Sequence, residues 1–245
     1  MHVFIAYKAN GCQDRATQGY RMSEYMGKEI AHHNREQTMQ ETQKSTALTE
    51  RIVQLEWEQF QNTTNEGGPA SCQSNWPMFH EMRMSQFLTW PKPLLQSYES
   101  DLQEAAHIGR NLVTEKYARM MQSTAPEEYR HHIEPYLATL NPQRIDQQER
   151  IIAIQVQWAD DFRSRYPKLG SAMRTLRTSE DTEQSTSFET YLRGELSTYS
   201  EGTLREYESF IHELQAEHKN LTELTIANTV KLAGFAGLED AESAQ

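Results

Sequence analysis

From Thr46 onward the apolar residues recur at helical spacing, and after residue 10 no block of alternating apolar and polar residues interrupts them. A period near 3.6 buries one stripe of a helix, whereas a half-buried strand needs period 2. Leu48, Ile52, Leu55, Trp57 and Phe60 form one such stripe, with Thr49 as its candidate cap. Phe79, Met82, Met84, Phe87 and Leu88 form a second, which runs to Trp90. Further helices are predicted at about 93–108, 111–122, 126–140, 142–165, 170–178, 187–199 and 201–232. There is no βαβ alternation and no repeat at solenoid spacing. The expected architecture is all-α, a single bundle of eight or nine helices, with a short strand or arm at the N-terminus.

Helix ends are marked by residue chemistry. Asn75 precedes Trp76 and Pro77, a cap followed by a proline in the first turn. Pro91 and Pro93 stop the preceding helix. Gly109 suits a C-terminal cap and Asn111 the next N-cap. Thr124 before Pro126, Asn141 before Pro142, and Ser187 repeat the starting device. The segment RTSEDTEQSTS, 177–187, reads as a hinge or a disordered loop. Residues 1–45 read as an extension or docked arm, 46–236 as the helical domain, and 237–245 as a frayed acidic tail.

The chain of 245 residues carries a net charge of −11, so its surface repels phosphate backbones and extensive nucleic-acid binding is disfavoured. Its two cysteines, Cys12 and Cys72, allow at most one bridge, which fits a reducing compartment. No run approaches the about 18 apolar residues of a membrane span, and MHVFIAY is too short for a signal core. These features predict a soluble cytoplasmic protein with no membrane partner.

Three segments are rich in reactive or polar groups. In NTTNEGGPASCQSNWPMF, 62–79, Gly67 and Gly68 permit close backbone approach, and Cys72 lies just ahead of a helix start. A thiol near helix N–H groups can be a nucleophile. Ser71 and Gln73 would orient it or bind substrate. The competing reading is a glycine turn with a small buried cysteine. In NLVTEKYARMM, 111–121, Glu115 and Arg119 are spaced to pair, while Lys116 points elsewhere. In TSFETYLRGELSTYSEGTL, 186–204, Glu189 with Arg193 and Tyr191 with Glu195 are similarly spaced, around Gly194. A glycine inside a helix implies a close helix crossing or room for a ligand.

Metal-ligand spacings occur but carry little weight. Glu104/His107 and Glu128/His131 each match the Glu-x-x-His of di-iron bundles. With nine histidines among so many acids, two such spacings arise by chance. Asp160 and Asp161 lack the further carboxylates of a Mg²⁺-diphosphate site. No metal or other cofactor is predicted.

The strings NEGGPASCQSNWPMFHEMRMSQFLTW, NLVTEKYARMMQSTAPEEY and TSFETYLRGELSTYS resemble a mostly bacterial family known as domain of unknown function 4125, over residues 48–232. The resemblance implies an all-helical fold and names no activity. Some members resemble fusions with a nucleotidyltransferase-like domain, for which this sequence has no counterpart. His80 departs from the aliphatic residue associated with that position. The familiar strings are rich in Asn65, Glu66, Ser71, Cys72, Gln73, Arg83, Gln86, Glu115, Lys116, Tyr117, Glu189, Tyr191, Arg193 and Glu195. Such a set suggests that the loop and two polar helix segments meet around one pocket.

The expected function is an enzyme acting on a small polar substrate, such as an activated amino acid. Cofactor-free group transfer, with C–N bond formation as its concrete form, is the chemistry these residues suit. Cys72 would be nucleophile or substrate contact. Glu66, Glu115 or Glu189 would move protons or hold an amine, and Tyr117 and Tyr191 would donate protons. Arg83, Lys116 and Arg193 would hold a carboxylate or phosphate. Asn65, Ser71, Gln73, Gln86 and Glu195 complete the substrate-binding set. The alternative is a helical adaptor whose polar residues only fix the bundle; a third is a metal-dependent oxidase or cyclase.

Overall fold

The stripes read above become eleven α-helices among the residues that the computed structural model describes, 43–63 and 71–245, with only the backbone for Ser71 and Cys72. They are α1 (43–61), α2 (Trp76–Phe87), α3 (Lys92–His107), α4 (Leu112–Thr124), α5 (Pro126–Glu128), α6 (Pro142–Arg165), α7 (Pro167–Ser171), α8 (Phe188–Leu196), α9 (Glu201–Ala216), α10 (Leu221–Leu232) and α11 (Leu238–Ala244). Among the described residues none is long and apolar enough to cross a membrane.

Leu48–Gln245 forms one compact unit. Its main core draws Ile52 and Val53 from α1, Phe87 from α2, Leu94, Leu95 and Leu102 from α3, Ile151 and Val156 from α6, Leu196 from α8 and Tyr207 and Ile211 from α9. Buried positions recur at three or four residues along each helix, as in Leu48/Ile52, Met84/Phe87, Leu95/Tyr98/Leu102, Ile152/Val156, Leu192/Leu196 and Tyr207/Ile211/Leu214, so one stripe per helix is buried. Complete burial of such side chains stabilises by about 1.5–3 kcal/mol each. The aromatic centre is Phe87, Trp90, Tyr98, Tyr199 and Tyr207, with Trp90 edge-on to Phe87 at 4.8 Å and to Tyr207 at 5.5 Å.

Helix starts follow the expected chemistry at four places. Asn75, Asn111, Asn141 and Ser187 each accept a backbone N–H from three residues on. Gly109, at φ 73°, lets Arg110 N–H reach Ala105 O at 2.7 Å and closes α3. Thr49 differs: it lies inside α1, fully buried, because the helix already begins by residue 43. Thr124 also differs, closing α4 and donating back to Met120 O, while Ala125 leads into α5 without a side-chain cap.

Three boundaries depart from the periodic pattern. The helix expected over 126–140 shortens to α5, a π turn at Tyr129–Ile133 and a 3-10 turn at Glu134–Tyr136. Pro135 cannot donate to the preceding turn, so the helix does not continue. The helix expected over 170–178 is instead α7, started by Pro167 and finished at Ser171. The expected 201–232 helix breaks in two. His218 takes φ 55°, His218 N–H bonds Gln215 O, Lys219 N–H bonds Leu214 O, and Asn220 caps α10. Periodicity survives that break because Leu221 and Leu224 at the start of α10 pack on the core that α9 faces, while Ile226, Ala227 and Val230 continue into a second cluster with Phe162.

The 177–187 segment is neither hinge nor disordered. The Asp181 carboxylate accepts from Ser123 Oγ, from Ser187 N at 2.7 Å and from Thr190 Oγ1 at 2.6 Å, which ties the loop to α4 and α8. The acidic tail is likewise ordered as α11. Ala241 is fully buried, and the Glu242 carboxylate accepts the Lys168 and Leu169 N–H groups in the first turn of α7, both at 2.8 Å.

Gly194 marks a tight crossing of α8 on α4. A Cβ there would lie 2.9 Å from Lys116 O and 2.9 Å from Met120 Cγ, so α8 packs directly on the backbone of α4. Gly194→Ala is therefore expected to push the pair apart and destabilise the fold by about 1–3 kcal/mol, despite alanine's better helix propensity. Urea unfolding checks this: a stabilised variant would contradict the crossing.

Candidate functional site

The polar helix segments converge in two places. The first is interior. Arg83 of α2 grips Glu56 of α1 through Nε at 2.5 Å and Nη2 at 2.6 Å, and reaches Glu195 of α8 with Nη2 at 3.4 Å. Its Nη1 donates to Gln86 Oε1 at 2.6 Å, and Phe87 lies beneath it at 4.6 Å. Glu195 also accepts from Gln86 Nε2 at 3.0 Å, Tyr199 Oη at 3.1 Å and Lys116 Nζ at 3.5 Å. Lys116 donates to Tyr191 Oη at 2.8 Å and sits 4.3 Å from the Tyr191 ring centre. Tyr98 donates to Glu56 at 2.7 Å. Arg83, Gln86, Lys116, Tyr191 and Glu195 thus meet as expected, but Glu56, Arg83, Lys116 and Glu195 are each at most 7% exposed.

Glu56, Tyr98 and Tyr199 belong to this cluster as well, beyond the residues that the sequence pattern points to. A signal existed for Glu56: it lies four residues after Ile52 and four before Phe60, both buried, so it occupies the apolar stripe of α1.

The charges of this cluster are locked. Burial raises the Glu195 carboxyl, but Arg83 and Lys116 outweigh it and bring it down to about 2. Burial opposes the Lys116 ammonium, but Tyr191 and Glu195 outweigh that and raise it. Arg83 is raised in the same way by Glu195 and Glu56. Burial, reinforced by Glu56 at Tyr98 and by Glu195 at Tyr199, keeps both phenols protonated. A general acid or base works best with a pKa near the operating pH. Glu195, Lys116 and Arg83 are far from that, so they supply fixed charge.

The second place is a cleft of about 570 Å³ on another face of α4 and α8. Arg119, Gln122 and Ser123 of α4 line it, with Thr190, Arg193, Gly194 and Ser197 of α8, Gln148 and Glu149 of α6, and Tyr129, Glu134 and residues 137–140 of the connection. Arg193 is fully engaged: Nε and Nη2 meet Glu149 at 2.6 and 2.9 Å, Nη2 meets Glu189 at 3.4 Å, and Nη1 donates to Thr178 at 2.9 Å. Glu189 also accepts Thr178 N at 2.8 Å. Arg193 and Glu189 therefore brace the wall.

The expected Glu115–Arg119 pair does not form. Arg110 takes both Glu115 oxygens, at 2.8 and 2.7 Å, and Arg119 instead donates to Ala138 O at 2.8 Å. Arg110, one residue before the Asn111 cap, reaches the first turn of α4 from the chain side, where an acid already complements the helix N-terminus. Burial weakens the Arg119 cation, only partly offset by Tyr129 and Glu115.

Gln73 has a local role. Its Nε2 donates to Phe60 O at 2.8 Å and Thr63 O at 2.7 Å, closing the end of α1, and Gln61 donates to its carbonyl. Tyr117 packs on Phe60 at 6.3 Å. Asn65 and Glu66 lie outside the described residues, as do the side chains of Ser71 and Cys72, whose backbone forms a 3-10 turn at Ser71–Ser74. Among the described residues no three metal-ligating side chains converge. Glu104, His107 and His131 are exposed, and His131 Nδ1 lies 2.8 Å from Glu127 O.

Glu195→Gln leaves Arg83 and Lys116 undercompensated. At pH 7 a loss of about 3–5 kcal/mol is expected. The ionised Glu195 stabilises the fold fully above its ordinary value of 4.5, and that contribution disappears as pH falls toward about 2. The stability gap between wild type and variant should therefore close between those values. Urea unfolding at several pH values measures it; a gap that stays constant down to pH 2 would contradict the locked charge.

No curated protein and no solved structure matches this chain. A family model does: the one described as Protein of unknown function (DUF4125) matches residues 46–243. That match spans α1 to α11 and includes every helix that builds the buried cluster and the cleft, so the chain belongs to this family.

Proposed function

We propose that this protein is an enzyme that binds a small, polar, amino-acid-like substrate in the α4/α6/α8 cleft. Its chemistry is cofactor-free group transfer, with C–N bond formation as the concrete form. The observation that carries this reading is the cleft itself. Its volume, about 570 Å³, suits a metabolite, and its walls offer a cation at Arg119, carboxylates at Glu134 and Glu149, and the Tyr129 hydroxyl.

In that reading an amine attacks an activated acyl group carried by the second substrate. As the C–N bond forms, the bond from the acyl carbon to its activating group breaks, that group leaving with the electron pair as a phosphate, alcohol or thiol. Glu134 is the carboxylate best placed to take the proton the amine loses, because Glu149 is committed to Arg193. The buried Glu56–Arg83–Glu195–Lys116 cluster holds α4 and α8 at fixed spacing behind the cleft wall. Arg193, Glu189 and Glu115 keep supporting roles through their own ion pairs. Cys72 and Glu66 stay catalytic candidates and Asn65 a substrate-binding candidate in this reading. The reading also assigns the protein to the cytoplasm, without nucleic-acid partners.

One observation favours a second reading, a helical binding protein without catalysis. Every charge of the interior cluster is spent on another member, and Met78 and Met82, on adjacent turns of α2, are 55% and 57% exposed. The two readings separate on a cleft-filling variant. Ala138 is exposed on the rim, so Ala138→Trp is expected to change stability by about 0.5 kcal/mol or less. Mass-spectrometric screening with amino acids and activated acyl donors should reveal a product that this variant makes at least tenfold more slowly. Equal product formation by the variant would remove the cleft as the site, and no product or saturable ligand from the wild type would favour the binding protein.

A further inference from the structure

We propose that the cleft contains an anion subsite, in which the Arg119 guanidinium holds the carboxylate or phosphate of the bound molecule. The assignment rests on the functional reading above only for calling that molecule a substrate.

Four observations lead to it. Arg119 lines the cleft and is fixed there by its 2.8 Å bond to Ala138 O. That bond is the only one its guanidinium makes among the described residues, and its Nε is buried with no partner. No carboxylate of the described residues lies within ion-pair distance, because Arg110 has taken Glu115. Arg83, Arg110, Arg165 and Arg193 each face at least one carboxylate.

Arg144 is the informative comparison. It too has an unpartnered buried Nε and no carboxylate partner among the described residues. Its Nη2, however, donates to Leu196 O at 3.0 Å and Tyr199 O at 2.5 Å, which end α8. A cation on the carbonyls of a helix C-terminus is explained by the helix. No such account exists for Arg119. Arg119 lowers Arg144 after burial does, so the two cations lie near enough to repel. Arg144 is not on the cleft lining, and Arg193, which is, meets Glu149 and Glu189; Arg119 is therefore the lining cation that faces no carboxylate at ion-pair distance among the described residues.

The guanidinium fork selects the ligand group. It presents paired N–H donors that match two oxygens of a carboxylate or phosphate. Glu134 on the same cleft carries no salt bridge among the described residues and opposes a ligand that is anionic throughout. The best match has an anionic end at Arg119 and an amine or neutral polar end toward Glu134.

The test is arginine side-chain NMR on the full chain with ¹⁵N-labelled arginine. Inorganic phosphate, sodium acetate and sodium chloride are titrated at matched ionic strength. The Arg119 Nε–H signal, assigned by its absence in Arg119→Gln, should shift saturably with phosphate, acetate or both, and not with chloride. Phosphate alone identifies a phosphoryl ligand; acetate identifies a carboxylate. The Thr139 backbone amide gives a second readout, and its anion response should weaken at least tenfold in Arg119→Gln and less in Arg119→Lys. If Arg119→Gln fails to fold, the wild-type Thr139 response decides alone. Equal responses to all three salts, or none, overturn the subsite. A product found in the substrate screen with KM unchanged in Arg119→Gln overturns the subsite and spares the enzyme. Saturable anion binding with no product overturns the enzyme and supports the subsite.

Discussion

Two buried carboxylates, Glu56 and Glu195, share one guanidinium, and the rest of the helical packing is arranged around that contact. Arg83 binds α2 to α1 and α8, Lys116 adds α4, and Tyr98 adds α3. Taking four charges out of water costs several kcal/mol per ion, recovered only if each finds partners of good geometry. Here they do: two acids meet two bases, and Gln86, Tyr98 and Tyr199 occupy remaining acceptor positions. An apolar core tolerates sliding of one helix on another. This cluster does not, because a shift of one turn would strand a charge. The helices thus gain a fixed register more than added stability.

That register has a consequence on the opposite face of α8. Tyr191 and Glu195 point to the interior, whereas Thr190, Arg193, Gly194 and Ser197 line the cleft. Gly194 brings the α8 backbone against Lys116 O, so the helix that anchors the cluster also forms the cleft wall with no side chain between. Arg193, clamped by Glu149 and Glu189, removes the remaining freedom of that wall. The cleft is shaped by two charge networks on two faces of one nine-residue helix.

Much of this was legible in the sequence. The all-α class followed from periodicity, and four helix starts followed from asparagine or serine at the cap. Gly194 announced a close crossing. The polar residues of α2, α4 and α8 gather in two places, one buried and one on a cleft, rather than around the one pocket expected, and residues 64–70 of the loop expected to join them lie outside the described residues. Sequence spacing misdirected one pairing. Glu115 is spaced for Arg119, four residues on, and not for Arg110, five residues back and outside α4, yet the Gly109 turn swings Arg110 over the start of α4 and gives it the carboxylate. Glu56 was hidden by its own helix, where an acid on an apolar stripe reads as noise until Arg83 is placed opposite it. The break at His218 was invisible because its left-handed residue is not glycine.

The fate of Glu115 therefore governs more than a surface ion pair. Had it bonded Arg119, the cleft would hold a neutral pair and little reason to attract an anion. Because Arg110 takes Glu115 instead, Arg119 keeps one backbone bond among the described residues, and its charge is only partly offset by Tyr129 and Glu115. Burial without a counter-ion costs free energy in the empty protein, and a bound carboxylate or phosphate returns part of it. Arg83 and Arg193, which serve the fold, are surrounded by carboxylates, and Arg144, which has none among the described residues, is held by the carbonyls that end α8. Arg119 is treated differently, on the wall of the cleft, and that difference is the physical ground for reading the cleft as a place where something binds.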